Sequence, residues 1–503
     1  MLQLIDTSIV NVTLTDMMGN LGATFTQIGW VITGYAAANV IMIVLSGWLG
    51  FKLGRKKYFT GSIVLFTVAS LLCGNAGSVE ELIVFRVLQG LGGGGLMATA
   101  QSILVEAFPR EELSKANAIF GMSVIIGPAI GPTLGGYITD HLNWHWVFYI
   151  NIPIGILATV LAVLFIQEPP EKIKTGKMDW LAFGLLALGI GSLQVVLENG
   201  EREDWFSSHY ITVLAVLAIV GSVAFIWREL RVRSPILNLK LLRYHRFAVG
   251  VFFAFIRGFG QYGSIFVIPL FCQRLLGYTA EQTGLLLMPG SLAAGLMMPV
   301  VSRIMKRTRI SAVVLAGFGF GLYILFLSLL SGMTGNSTPS SFVLPIILRG
   351  IGSGFLFIPL TTITLYDLKN VEMPQGTAFL NMARQLGGSF GIAIMATFVT
   401  TRSAFHEARL RVNINPFDPA FLHQWQALAH TFMQHGSGWI RAKAQALQMI
   451  SQEVAEQAML LTYNDAFFVM AVFFACCIPL LILFIQRRKT KKAAIAQEVA
   501  TMD

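Results

Sequence analysis

The sequence predicts an all-α integral membrane protein, and three observations carry that prediction. Apolar residues make up 55% of the 503 positions and charged residues only 12%, about half the charged share of an ordinary soluble domain. The apolar residues fall in runs near the roughly 20 residues needed to cross a bilayer. The basic residues collect in alternate connections, which is the charge signature of cytoplasmic loops.

Fourteen runs qualify. The first, 1–18, contains Asp6, and the second is 28–50. The connection after it carries Lys52, Arg55, Lys56 and Lys57, which sets the cytoplasmic side. Spans 58–77 and 81–106 return the chain to Arg110 and Lys115. Spans 114–138 and 146–166 lead to Lys172, Lys174 and Lys177. Spans 179–198 and 209–227 lead to 228–246, with Arg228, Arg231, Arg233, Lys240, Arg243 and Arg246. Spans 247–272 and 281–302 lead to Arg303, Lys306, Arg307 and Arg309, and spans 310–331 and 342–366 lead to Lys369. Span 375–400 is followed by a long polar segment, 401–463. The last span, 464–486, precedes a basic tail, 487–503, with Arg487, Arg488, Lys489, Lys491 and Lys492. The short outer connections hold only Arg202 and Arg274. A missed span would invert every later loop, so the expected count is even and both ends are cytoplasmic. The net charge of +10 is then a topology signal, with contact to anionic lipid. It does not point to nucleic acid.

Enzyme classes find no support. Cys73, Cys272, Cys476 and Cys477 all sit in apolar runs, unlike a disulfide framework or zinc site. The His residues show no metal-ligand spacing. Gly92–Gly95 follows an apolar helix and lacks a Walker lysine, so no nucleotide cofactor is expected.

Charges inside a span are expensive and are functional candidates. They are Asp6, Arg86, Arg257, Arg349 and Arg384; Glu106, Asp367 and Asp465 lie near span ends. The fifth span carries Gly127-Pro128-Ala129-Ile130-Gly131-Pro132-Thr133-Leu134-Gly135-Gly136. Gly127, Gly131 and Gly135 form one smooth face for close helix approach. Pro128 and Pro132 each remove a backbone hydrogen bond, so this helix is expected to be kinked and suited to rocking.

That string resembles the antiporter motif of the major facilitator superfamily. Leu4-Ile5-Asp6-Thr7-Ser8-Ile9-Val10-Asn11-Val12 is similar to the first-span signature of its fourteen-span drug/proton antiporter branch, with Thr15 where that pattern has Pro. Arg86-Val87-Leu88-Gln89-Gly90 matches the fourth-span motif. Gly47 to Lys56 resembles the signature loop between spans 2 and 3, with Phe51 in place of its Asp and Lys52 in place of its Arg. Further likenesses run through Trp144–Pro153, Gly277–Ala280 and Asn381–Gln385. The chain is similar in particular to EmrB-like multidrug exporters of Gram-negative bacteria.

The resemblance implies the major facilitator fold. Two six-helix bundles, 1–166 and 247–486, would be joined by two linker helices and a cytoplasmic loop, 167–246. It implies an inner-membrane exporter of small lipophilic drugs driven by protons, with Asp6 and Arg86 as the coupling pair. A periplasmic adaptor (a membrane fusion protein) and an outer-membrane channel would be partners. The expected substrate cavity comprises Asn11, Gln89, Arg257, Gln261, Arg349, Asn381, Arg384 and Gln385. The excess of arginine in the second bundle favours weakly acidic compounds. The alternatives are an exporter of one dedicated metabolite, or an uncoupled facilitator. Residues 1–18 reach only ~27 Å as a helix, with Asp6 expected near the inner end, and by the resemblance the first half of span 1 is missing. Segment 401–463 is expected to dock the adaptor. It contains the turn string Asn415–Pro419 and, over 439–462, an amphipathic helix with Ile440, Leu447, Ile450 and Val454 on one side.

Overall fold

The computed structural model describes residues 1–167, 178–232, 234–308, 310–412 and 418–484. Lys172, Lys174, Lys177, Arg233, Arg309, Asn415, Pro416, Phe417 and the tail 487–503 lie outside them. The described chain is helical throughout. The first bundle holds α1 (Leu2–Asn20), α2 (Phe25–Leu53), α3 (Arg55–Gly74), α4 (Val79–Glu106), α5 (Leu113–His141), the single turn α6 (Trp146–Tyr149) and α7 (Asn151–Phe165). Next come α8 (Trp180–Leu186) and α9 (Ser192–Asn199), joined by a π turn at Ala187–Gly191, and then α10 (His209–Arg231). The second bundle holds α11 (His245–Leu270), α12 (Ala280–Arg307), α13 (Ala312–Leu330), α14 (Pro339–Tyr366), α15 (Met373–Val412), α16 (Pro419–Gln434) and α17 (Trp439–Cys477). Eleven helical stretches among the described residues are long and apolar enough to cross a membrane. α1, α5 and α15 are helical but outside that set.

The two bundles repeat one packing plan. α2 and α12 both begin with a capping box: Thr24 with Gln27, and Thr279 with Gln282. Each box satisfies two backbone donors that a helix start leaves open. A constant offset relates Gly90, Gly92 and Gly94 of α4 to Gly350, Gly352 and Gly354 of α14. Gly90 faces α2 as Gly350 faces α12, and Gly92 faces α3 as Gly352 faces α13. The same offset takes Gly127 and Gly131 of α5 to Gly387 and Gly391 of α15. These seat against α1 and α11 respectively.

α5 runs unbroken from Leu113 to His141 through both prolines. The glycine face predicted on it meets α1. A Cβ at Gly127 would lie 2.7 Å from Leu4 Cβ, one at Gly131 2.5 Å from Ser8 Cβ, and one at Gly135 3.1 Å from Ile9 Cγ2. Gly136 is different, with nothing within 4 Å of such a Cβ, so it has no part in the seam.

Polar contacts between the bundles gather near the basic, inner end. Lys306 Nζ lies 2.7 Å from Glu112 Oε1, and Arg110 Nη2 donates to the Leu368 carbonyl at 3.1 Å. Ser302 Oγ donates to Ser114 Oγ at 3.1 Å, and Asn117 Nδ2 to Thr362 Oγ1 at 3.2 Å. Arg55, the first residue of α3, is ion-paired with Glu106 at the end of α4. α9 touches both halves. Asn199 Nδ2 donates to Thr33 Oγ1 of α2 at 3.4 Å, and Gln194 Nε2 to Ser389 Oγ of α15 at 2.8 Å.

Segment 401–463 differs from its prediction in two ways. α15 does not end near 400; it continues to Val412, where Arg402 and His406 both bond Asp465 of α17, at 2.6 and 2.8 Å. At 1.5 Å per residue, 40 residues make a rod of ~60 Å, longer than the ~30 Å hydrocarbon core. The buried stripe of α17 is Ala442, Ala446, Ile450 and Ala458. Ile440 and Leu447 are exposed, and Val454 is half-buried. Small alanines let α16 pack closely, with Trp425 Nε1 reaching the Lys443 carbonyl at 3.1 Å, and this rotates the larger side chains outward.

Gly131→Ala should destabilise the fold by about 1–3 kcal/mol through overpacking, and Ser8→Gly in the same chain should recover part of the loss. Gly136→Ala should be neutral. Thermal unfolding of the purified protein reads all three; a neutral Gly131→Ala would refute the close seam.

Candidate functional site

Asp6 lies on α1, on the turn between the Leu4 and Ser8 contacts of the glycine seam. It is completely buried, and Arg86 is 1% exposed. Arg86 Nη1 donates to Asp6 Oδ2 at 2.8 Å. Gln89 Nε2 and Asn151 Nδ2 donate to the other carboxylate oxygen, Oδ1, at 2.9 and 2.6 Å. Three donors on two oxygens satisfy a charge that burial would otherwise make costly.

The surroundings hold the donors in turn. Arg86 Nη1 also reaches Gln89 Oε1 at 2.6 Å, and Arg86 Nε reaches the Val31 carbonyl at 3.3 Å. The guanidinium lies 4.1 Å from the Tyr35 ring centroid, a cation–π contact. Gln89 Nε2 donates to Ser70 Oγ at 2.6 Å. Helices α1, α2, α3, α4 and α7 thus meet at one carboxylate.

Several predicted positions need correction. Asp6, expected near the inner end, lies away from the basic connections: its partner Asn151 opens α7, and Ser70 lies one turn from the end of α3. Gln89, expected in the substrate cavity, belongs to the Asp6 network, because its amide is one helical turn from Arg86. Asn11 is exposed on α1. Arg349 and Gln385 are half-buried and lie off the lining of the cavities described next. Ser70, Asn151 and Tyr35 went unrecognised, since an isolated polar residue in a span has no periodicity to mark it. Glu198, accepting from Gln194 at 2.9 Å, and the buried Glu229, accepting from Leu237 N at 3.1 Å, are further carboxylates on the linker helices that the sequence does not single out.

Arg257, Gln261, Asn381 and Arg384 come together. Arg257, Asn381 and Arg384 line one cavity with Gln101, Thr361 and Phe357. Arg257 and Gln261 line a second with Tyr323, Ser353 and Phe357. Asn381 Nδ2 donates to Gln101 Oε1 of α4 at 2.8 Å, so this region joins the bundles.

The Major Facilitator Superfamily profile matches residues 1–392. The multidrug export protein EmrB of Escherichia coli K12 is 33% identical over 476 residues, covering 94% of this chain and 91% of that protein. The fatty acid resistance protein FarB of Neisseria gonorrhoeae is 32% identical over 480 residues, 95% and 92% of the two chains. Among solved structures, the human organic anion transporter MFSD10 superposes with a TM-score of 0.55 at 12% identity, covering 94% of this chain and 97% of that one. The proton:xylose symporter XylE gives 0.56 at 13%, covering 95% and 93%; both likenesses concern the fold. With a family profile over most of its length and relatives above 30% identity across nearly all of it, this chain is a multi-pass membrane transporter belonging to the major facilitator superfamily.

Proposed function

We propose that the chain is a proton-driven multidrug exporter of the bacterial inner membrane, with fourteen spans, both ends cytoplasmic, and alternating access between its two bundles. The observation that carries this reading is the buried Asp6–Arg86 pair. A coupled carrier needs a titratable group whose surroundings change between states. Desolvation favours a neutral carboxyl and a neighbouring cation favours an ionised one. A carboxylate bonded to groups from α4 and α7 senses any shift of α1 against them. The glycine seam brackets Asp6, so rocking of α1 on α5 would alter its contacts directly. Asp6 would take a proton from outside and release it inward as drug leaves. The names of EmrB and FarB support export as the direction.

The projecting ends of α15 and α17, with α16 packed on α17, form a polar outer structure suited to docking a periplasmic adaptor that leads to an outer-membrane channel. Its width is set by the Arg402–His406–Asp465 contacts rather than by a loose linker.

Asp6→Asn should abolish substrate-induced proton release from reconstituted vesicles while substrate still binds; normal release would refute the assignment. Arg86→Ala should impair release as well, and Arg86→Lys should not restore it, since an ammonium cannot reproduce the forked contacts of a guanidinium. For the outer structure, replacing 413–438 by a Gly/Ser linker should leave proton release intact in vesicles and lower drug resistance in cells. Unchanged resistance would remove the docking role.

A further inference from the structure

The seam between α3 and α4 is polar along nearly its whole depth. On α3, Arg55, Tyr58, Ser62, Phe66 and Ser70 recur every three or four residues, so they share one helix face, and all are buried. On α4, Gln89, Gly92, Gly95, Thr99, Ser102 and Glu106 do the same. The two faces meet. Gln89 Nε2 donates to Ser70 Oγ at 2.6 Å at the Asp6 cluster, Gly92 lies against the backbone of Phe66, and Gly95 against the Tyr58 hydroxyl. At the inner end Arg55 is paired with Glu106. The line from Gln89 to Glu106 is ~26 Å along α4. Phe66 is the one apolar side chain larger than hydrogen in the two stripes. Close packing alone has no need of hydroxyls here, and buried polar groups are costly unless satisfied.

Three of these groups are not satisfied by protein. The hydroxyls of Tyr35 and Tyr58 and the amide nitrogen Nδ2 of Asn39 are buried and have no hydrogen-bond partner among the described residues. Tyr35 and Asn39 stand one turn apart on α2 and flank the Phe66 ring. A Cβ at Gly93 would lie 3.0 Å from the Tyr35 hydroxyl, 3.2 Å from Asn39 Nδ2 and 3.4 Å from Phe66 Cδ2. The ring of Tyr35 is the one that covers Arg86, 4.1 Å from the guanidinium carbon. The two groups therefore carry the polar line past Phe66, from the Asp6 cluster toward Tyr58. Buried polar atoms without protein partners bind internal water. At the far end Ser102 Oγ donates to Glu106 Oε1 at 3.0 Å. Glu106 also lines a cavity of about 240 Å³ at the inner junction of the bundles, with Arg110 and Asn370, room for several waters.

We propose that the α3–α4 seam is a hydrated path by which Asp6 discharges its proton to the inner side, with Tyr35, Asn39 and Tyr58 holding the water that bridges Phe66. The discharge rests on the export reading; water in the seam does not. A proton leaving the Asp6 carboxyl passes to the first water. Each water or hydroxyl along the seam then accepts one proton and gives up another. Glu106 takes the last and loses it to water in the inner cavity. Asp6 is left ionised beside Arg86, and no group between the two ends changes its net charge.

The first test is X-ray hydroxyl-radical labelling of the full chain in nanodiscs, which oxidises buried side chains that touch bound water. With rates normalised to the denatured chain, Tyr35, Tyr58 and Phe66 should label at least fivefold faster than Phe320 and Phe326, which are buried in the second bundle. Equal rates overturn the path. The second test is Tyr58→Phe, which removes one hydroxyl and keeps the ring. In reconstituted vesicles it should slow substrate-induced proton release at least fivefold and raise the H2O/D2O rate ratio, with substrate binding unchanged. A merely structural role would leave that ratio where it was. Unchanged release and ratio in a folded Tyr58→Phe also overturn the path. The labelling uses the unaltered chain, so it decides even where the variant fails to fold. It also needs no gradient. A chain whose seam labels but which releases no protons keeps the hydrated seam and loses the export reading; one that releases protons with Tyr35 and Tyr58 unlabelled does the reverse.

Discussion

A fully buried ion pair organises the first bundle. Removing one partner of such a pair costs about 3–5 kcal/mol, because the other charge is left without a counter-ion in low dielectric. The surrounding polar groups are arranged to avoid that cost. Asp6 receives three donors, Arg86 is shared among Asp6, Gln89 and the Val31 carbonyl, and Gln89 is braced by Ser70. Together these bonds tie five helices to the same cluster. The relative placement of α1, α2, α3, α4 and α7 therefore follows from satisfying one charge. The glycine seam follows as well, since α1 must approach α5 closely for Asp6 to reach inward.

The second bundle has the same helix order and the same glycine contacts without that pair. Gly387 and Gly391 bring α15 against α11 as Gly127 and Gly131 bring α5 against α1. With the scaffold held constant, the difference in function falls on a few side chains. That register sets Leu4 opposite Phe255 and Ser8 opposite Phe259, so Arg257 stands where the first bundle has Asp6. Replacing an acid by Arg257 converts a self-neutralising cluster into one that is short of negative charge.

Legibility from sequence divided along physical lines. Helix positions were readable because each crosses an apolar solvent, and apolar runs mark that directly. Gly127, Gly131 and Gly135 were readable because a four-residue spacing puts them on one face whatever they touch. Asp6 and Arg86 stood out as charges in lipid-length runs. Partners were not readable. Asn151 and Ser70 are ordinary polar residues whose meaning comes from three-dimensional neighbours, and Gln89 carries no mark saying which of two polar centres it joins. The depth of Asp6 was misjudged because counting from Met1 ignores where α3 ends and α7 begins. Beyond residue 400, polar composition marked the end of the span, whereas α15 continues to Val412 with Arg402 and His406 bonded to Asp465. On α17, hydrophobicity pointed to Ile440 and Leu447, but close packing against α16 selects the smaller Ala442 and Ala446.

The two centres are connected by one rigid element. α4 carries Arg86 and Gln89 at the Asp6 cluster, then Met97 and Gln101 against Arg384 and Asn381 of the second bundle. Arg86 and Gln101 are separated by ~22 Å along an unbroken helix. Energetic coupling over such a distance requires an element with two arrangements that both sites bias. α4, held at one end by Asp6 and at the other by a cavity shared between the bundles, is the element in contact with both centres. Protonating Asp6 would weaken its hold on Arg86 and so free α4 to move. Filling the space beside Arg384 would add contacts at the far end and favour one of its positions. α4 is continuous through Gly90, Gly92 and Gly94, whose missing side chains let α2 and α3 pack against its backbone, so the same glycines that fix its neighbours keep the path between the two centres straight.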